Sequence, residues 1–341
     1  MKEENYFLYT ISGIACILVV FIHVQIPGIV GKLILPVSRF AVPYFFAISG
    51  YYYRHLRGNE KTRLGGGKFL KFSILFLKIW FCYLTLSAIT SFINGESFFV
   101  WLSNKFTIGN IVSLLIFNHS HLLEINNYTA DSLWFLPALA YVYIIMELFG
   151  NFVIKHKCIL VFILGLCLIT GQYLFEKQSM AFLGEQISKP VIVNNWLFDG
   201  LLFFLIGNIL RDHKEIKLIQ NFRNYFLLII FVLCVLAIVE SRLHYYDVYL
   251  SSILLTVTVL AYAESFRNRK IGILYYIGKN LSANVYYWHV FNKAVVIVLL
   301  GVSFLEEGKW FMPIFVLMST LVMSYLLYIY RELKNAKKID L

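Results

Sequence analysis

Two histidines and one arginine interrupt stretches otherwise built for lipid. His23 lies in CILVVFIHVQIPG (16–28), and no Asp, Glu, Lys or Arg occurs from Asn5 to Gly31. His289 lies in NVYYWHVFNK (284–293), with Asn292 and Lys293 at i+3 and i+4 on the same helical face. Arg39 opens RFAVPYFFAISGY (39–51). Ionisable side chains at membrane depth are costly and ordinarily face a bundle interior or a water-filled cavity. Imidazole is the side chain best suited to take a proton from a weak nucleophile near neutral pH. A guanidinium can stabilise a developing oxyanion. A neutral imidazole beside a guanidinium would have its pKa lowered, which suits a base. Taken singly, each residue also has a structural reading: a histidine bonded to a neighbouring helix, or an arginine snorkelling to the interface.

What must position them is a set of membrane helices. The chain has 341 residues, of which 60% are hydrophobic and 14% charged, against about 25% charged in a soluble domain. A crossing helix needs about 20 apolar residues. The pattern predicts ten: 6–26, 37–56, 69–93, 132–149, 158–175, 194–210, 224–241, 248–265, 275–300 and 311–330. The expected class is an all-α polytopic membrane protein, a single domain over 1–335 with a short tail, 336–341. His23 falls roughly 26 Å along the first helix and His289 roughly 21 Å along the ninth, so both belong to one half of the membrane.

The net charge of +11 lies in short clusters between apolar runs. That is positive-inside patterning and argues against a nucleic-acid partner. With both termini cytoplasmic, 20 Lys and Arg fall inside, 7 outside, and Lys78, Lys279 and Lys293 lie in or at spans, which accounts for all 30. The stretch 98–117 is long enough to cross, but crossing would place every later basic cluster outside. It is expected instead as an amphipathic or re-entrant helix on the outer face. The first apolar run is too long for a signal h-region and no A-x-A site follows. The five cysteines form no CxxC pair, and His119, His121 and Glu124 have no specific metal-ligand spacing. No metal site or disulfide is expected, no internal repeat recurs, and no soluble domain is expected beyond the last span.

Further polar residues mark span ends. Trp134 begins the fourth span, where an interface-belt role is the plain reading. Asn195 and Asp199 flank the start of the sixth, where capping is. Lys78 lies toward the cytoplasmic side of the third span, and snorkelling explains it.

The first two spans resemble those of the membrane-bound acyltransferase 3 family. GIACILVVFIH (13–23) followed by RFAVPYFFAISGY carries the resemblance, supported by LWFLPALAYVY (133–143), NWLFDGLLFFLIGNIL (195–210) and YYWH (286–289). Carried over, His23 matches the family's proposed catalytic histidine, Arg39, Pro43 and Ser49-Gly50 the second-span motif, Trp134 the fourth-span tryptophan, and His289 the late histidine. Three positions depart. Ser12 stands where many members have arginine eleven residues before the histidine, Asn194 where arginine is frequent, and Leu202 where proline is. Ser12 removes a fixed cation from the donor path.

The resemblance implies a bacterial inner-membrane O-acyltransferase. Its co-substrate would be acyl-CoA, acetyl-CoA most often, and its acceptor a hydroxyl of a cell-surface or lipid-linked carbohydrate. No cofactor is held permanently, and nothing in the sequence sets an oligomeric state. His23 would be the general base and Arg39 the oxyanion donor. Trp134, Asn195, His289 and Asn292 would be substrate-binding. Lys68, ending RLGGGK (63–68), and Lys78 would be donor-binding. A flippase of lipid-linked sugars and a non-catalytic membrane subunit are the alternatives. The histidine–arginine pair and the missing repeat speak against the first.

Overall fold

The computed structural model describes residues 4–53, 61–125, 132–174, 180–182, 185–187, 194–212, 223–244, 247–301 and 309–336. The expected tail lies outside them apart from Ala336. The described chain is helical except for one small antiparallel hairpin, β1 (Met180–Phe182) with β2 (Glu185–Ile187).

Helix α1 (Tyr6–His23) is the axis of the molecule. It starts where Asn5 accepts hydrogen bonds from the Phe7 and Leu8 amides, both 3.1 Å, and ends at His23. An extended turn leads into α2 (Gly28–Ser38) and, across a joint at Arg39-Phe40, α3 (Ala41–Tyr51). The stretch between Pro27 and Pro36 is therefore mostly helix. The second span runs Gly28–Tyr51, not 37–56, because Pro36 sits near the end of α2 and Pro43 in the first turn of α3, where a missing N–H is tolerated.

Helix α4 (Lys61–Ile93) includes the RLGGGK stretch, so no glycine loop is available there as a phosphate nest. After it come α5 (Phe98–Lys105) and α6 (Ile108–Phe117), bent 45° relative to each other. This segment descends along α4 and returns. The Trp101 indole N–H donates to Ser87 Oγ at 3.1 Å, and the Phe106 ring reaches Trp80, seven residues deeper. Trp80 Nε1 then donates to the Leu122 carbonyl at 2.8 Å, and Thr90 reaches the Ile125 carbonyl at 3.5 Å. Entry and exit lie at the same end of α4, which is a re-entrant path. Lys105 pins its lowest point by donating to the carbonyls of His121 and Glu124 at 2.7 and 2.8 Å. Backbone that leaves helical pairing at membrane depth needs such internal partners.

Next come α7 (Phe135–Lys155) and α8 (Lys157–Leu174), then a π-helical turn (Trp196–Leu201) running into α9 (Leu202–Asp212). Helices α10 (Phe226–Leu243) and α11 (Leu250–Ser265) follow. α12 (Gly272–Tyr276) passes through a second π turn (Ile277–Leu281) into α13 (Ser282–Leu300), and α14 (Phe311–Ala336) closes the chain.

Among the described residues, eight helices, rather than the ten expected, are long and apolar enough to cross alone. The missing two are the short helices of the expected sixth and eighth spans, α9 and α11, and both are clad in protein. α9 packs on α3, α8 and α11, while α11 packs on α1, α3, α9 and α10. Helices α8 and α10 instead show Ile159, Phe162, Leu227 and Phe231 to the surroundings, as lipid-facing helices do.

Close approach is bought with glycine in two places. A Cβ at Gly50 or Gly207 would overlap backbone of the facing helix in the α3–α9 pair; one at Gly13 would overlap α12, and one at Gly278 in the second π turn would overlap α1. Small residues at helix crossings replace the hydrophobic drive that membrane helices lack.

Candidate active site

His23 ends α1 and His289 lies in α13, and α1 packs directly on α13. Their rings meet with centroids 5.0 Å apart, tilted by 51°. His289 is fully buried. Its Nδ1 donates to the Tyr286 and Val285 carbonyls at 2.8 and 3.0 Å. Two acceptors facing Nδ1 fix its proton there, which leaves Nε2 of the neutral ring as an acceptor. That Nε2 is buried and has no hydrogen-bond partner among the described residues. A buried orphan acceptor costs about 1–3 kcal/mol and calls for an explanation.

Lys293, one turn beyond His289, donates to the His23 backbone carbonyl at 3.0 Å. This holds the two helices together at the depth of the rings. Asn292 turns toward α14 instead. Its Nδ2 lies 2.7 Å from Ser319 Oγ and 3.0 Å from Thr320 Oγ1 on α14. An amide spent on a neighbouring helix in this way is packing glue.

Arg39 sits at the α2–α3 joint, half-shielded, and pairs with Asp247 at 2.9 Å. It is not an interface arginine at a helix end. The charges of Arg39 and Lys293 both bear on His23, and that of Asp247 bears on Asp199, which is buried in the first π turn. Asp199 Oδ1 is also without a partner among the described residues. Asp247 was missed by sequence reasoning. The signal was present: an arginine at membrane depth requires an acid, and HYYDVY (244–249) holds the lone acid before the eighth span.

Trp134, at the start of α7, is partly buried among aromatic rings. It stacks on the His119 ring at 4.8 Å and meets Phe46 at 5.9 Å. The His119 Nε2–H donates to the Asn194 carbonyl at 2.7 Å. Asn195 caps the π turn, accepting from the Leu197 and Phe198 amides at 2.9 and 3.3 Å. This cluster joins the histidine pair through an aromatic wall: Phe46 to Phe135 (4.3 Å), Phe135 to Tyr286 (5.1 Å) and Tyr286 to His289 (6.1 Å). π turns recur at functional sites because they re-aim side chains by a fraction of a turn. Here the first holds the buried Asp199, while the second lies at the Asn5 end, against Tyr9 and Gly13 of α1.

The two donor-binding lysines are not brought to this site. Lys68 lies at the opposite end of the molecule, over the Tyr143 and Tyr53 rings at 5.0 and 5.5 Å. Lys78 is on the outward face of α4 with Ile74, Leu77 and Phe81, the setting of a snorkelling lysine. Ser12 donates to the Leu8 carbonyl at 3.0 Å and lies 3.4 Å from Tyr44 Oη, which donates to the same carbonyl at 2.7 Å. The buried Tyr44 ring thus fills space beside Ser12, and an arginine at position 12 would have to displace it.

A cavity of about 330 Å³ opens beside the pair, lined by His23, Val24, Gln25, Pro27, Lys293, Lys309, Met312 and Pro313. The site therefore offers an imidazole at a cavity wall, a second imidazole with a free acceptor behind it, and two nearby cations. Such a set can deprotonate a hydroxyl and stabilise negative charge. No curated protein and no solved structure matches the chain. A family profile described as an acyltransferase domain matches residues 5–334, nearly its whole length. The histidine pair thus sits in a multi-pass membrane acyltransferase, and the chain belongs to the acyltransferase 3 family.

Proposed function

We propose that the protein moves an acyl group, most often acetyl, from acyl-CoA to a hydroxyl of a cell-surface or lipid-linked carbohydrate, with His23 as general base. The observation that carries this reading is the His23–His289 contact beside a cavity, within a fold of the acyltransferase family. A sugar hydroxyl is a poor nucleophile at neutral pH. His23 takes its proton as the oxygen attacks the thioester carbonyl. The tetrahedral oxyanion is stabilised by the nearby cationic charge of Arg39. The C–S bond then breaks, and the departing thiolate receives the proton from His23 and leaves as coenzyme A. His289, its Nδ1 held by backbone, keeps an acceptor pointed into the site to orient the hydroxyl or relay the proton. In His23→Ala, acyl incorporation at matched protein level should fall at least about 100-fold. Activity within a few-fold of the unmodified protein would remove His23 from the base role.

The reading also sets an orientation: inner membrane, both termini cytoplasmic, and the histidine pair toward the outside. The donor then enters from the Asn5 end, where Lys68, Arg211, Arg267, Lys270 and Lys279 gather around tyrosines and carboxylates. In a background without native cysteines, a cysteine at Lys105 should react with an impermeant thiol reagent applied from outside, and one at Lys157 should not. The reverse pattern would invert the orientation.

A further inference from the structure

The cavity beside His23 differs in charge from its neighbour at the same end of the molecule. A second cavity, of about 370 Å³, is lined by Glu96 and Glu124 as well as Lys105, Trp101 and Asn94. The cavity at His23 is lined by two lysines, an imidazole and an amide, and by no carboxylate among the described residues. Lys293 is the informative member. It is half-buried, its ammonium carries three N–H donors, and one of them goes to the His23 carbonyl. No carboxylate pairs with it among the described residues, although Arg39, Lys157, Arg211, Arg267 and Lys279 all have such partners. A shielded cation without a counter-charge is costly unless something else supplies the negative charge. Lys309 is exposed on the same cavity. Glu306 and Glu307 precede it in sequence and lie outside the described residues, so the weight rests on Lys293.

We infer that this cavity binds an anion, and that the anion belongs to the acceptor: a carboxylate or phosphate ester carried near the hydroxyl that is acylated. The inference deepens the acyl-transfer reading and rests on it. Lys293 would then be a specificity determinant. Its backbone contact with His23 sets the distance between the bound anion and the base, so the hydroxyl presented to His23 is one close to the negative group. Charge-assisted hydrogen bonds from a partly desolvated ammonium discriminate strongly between an anion and a neutral isostere.

The test reads occupancy of the cavity without relying on acyl transfer. The full-length detergent-purified protein is treated with diethyl pyrocarbonate, and carbethoxylation of His23 is followed by peptide mass spectrometry. Exposed His121, paired with Glu124 away from this cavity, is the internal control. Four probes are compared: glucuronate, glycerol 3-phosphate, glucose and free coenzyme A. Glucuronate or glycerol 3-phosphate should slow His23 modification and leave His121 unchanged, and glucose should not. Protection by only one of the two anions identifies carboxylate or phosphate as the group carried. The protecting concentration should rise at least about tenfold in Lys293→Gln and stay near the original in Lys293→Arg. If Lys293→Gln does not fold, Lys309→Gln makes the same comparison, again with a loss of protection expected.

Equal protection by glucose, or no protection by either anion, overturns the inference. So does protection unchanged in the glutamine variant. Protection by free coenzyme A alone assigns the cavity to the donor and overturns the acceptor assignment. Anion protection in a protein that transfers no acyl group would sink the acyl-transfer reading while the anion site itself stands. Transfer to acceptors without any anion protection would do the opposite.

Discussion

The two ends of the helix bundle handle charge in opposite ways. At the Asn5 end, Asn5 Nδ2 donates to Glu264 at 3.1 Å and to the Ala263 carbonyl at 3.2 Å. Tyr51 donates to the same carboxylate, and Arg267 pairs with it at 3.3 Å. Lys279 pairs with Glu4 at 3.3 Å, and Lys157 and Arg211 share Asp212. Around the histidine pair, His289 Nε2 and Asp199 Oδ1 have no partner among the described residues, and Lys293 has a carbonyl but no carboxylate. Paired charges tie helices together. Polar groups left unpaired in a buried place cost stability, and they persist where a ligand completes them. The contrast separates an end that holds the fold from an end whose polar groups await a ligand, which is where we propose the reaction takes place.

The comparison is broken most sharply at the one strong ion pair near the histidines. Asp247→Ala would take the carboxylate away from the shielded Arg39, which costs about 3–5 kcal/mol. Equilibrium unfolding in mixed micelles should register this loss, and Arg39→Met in the same chain should recover much of it. A neutral result for Asp247→Ala would mean that Arg39 is carried by other partners.

Next in size is His289. Asparagine can keep the donor to the Val285 and Tyr286 carbonyls while deleting the orphan Nε2 acceptor. His289→Asn should lower the acylation rate about 100-fold, equivalent to about 2.7 kcal/mol of barrier, with little change in unfolding. A pH–rate profile distinguishes positioning from packing, because a change in the limb set by His23 would follow only from a changed imidazole environment. Loss of stability without a changed profile would reduce His289 to a structural residue.

The smallest effect belongs to the paired end. Asn5→Ala removes the cap of α1 and one link to Glu264, and should cost about 0.5–2 kcal/mol of stability. The acylation rate per folded molecule should not move. A rate loss beyond about tenfold would show that the two ends are coupled, and would blur the division between them.

Much of this was legible in the residues themselves. Composition dictated membrane helices, since 60% apolar residues cannot be hidden in a soluble core of this length. The uncharged run around His23 marked it, and spacing along α13 put Lys293 on the His289 face. The bias of basic residues argued that 98–117 does not cross, and its contacts with α4 trace a descent and return. Other features were beyond reach of a linear reading. Helical periodicity places Asn292 and Lys293 on one broad face, but only the position of α14 decides that Asn292 is spent there. The sixth and eighth elements are too short to cross alone because their depth is set by surrounding protein rather than by lipid, a property of neighbours and not of their own residues. The Arg39–Asp247 pair joins residues 208 positions apart, and no local pattern encodes such a meeting. Sequence determined which groups are too costly to bury without a purpose. Tertiary structure decided which of them are satisfied by the fold and which are left for a ligand, because hydrogen bonds and ion pairs depend on distances across helices that packing alone sets.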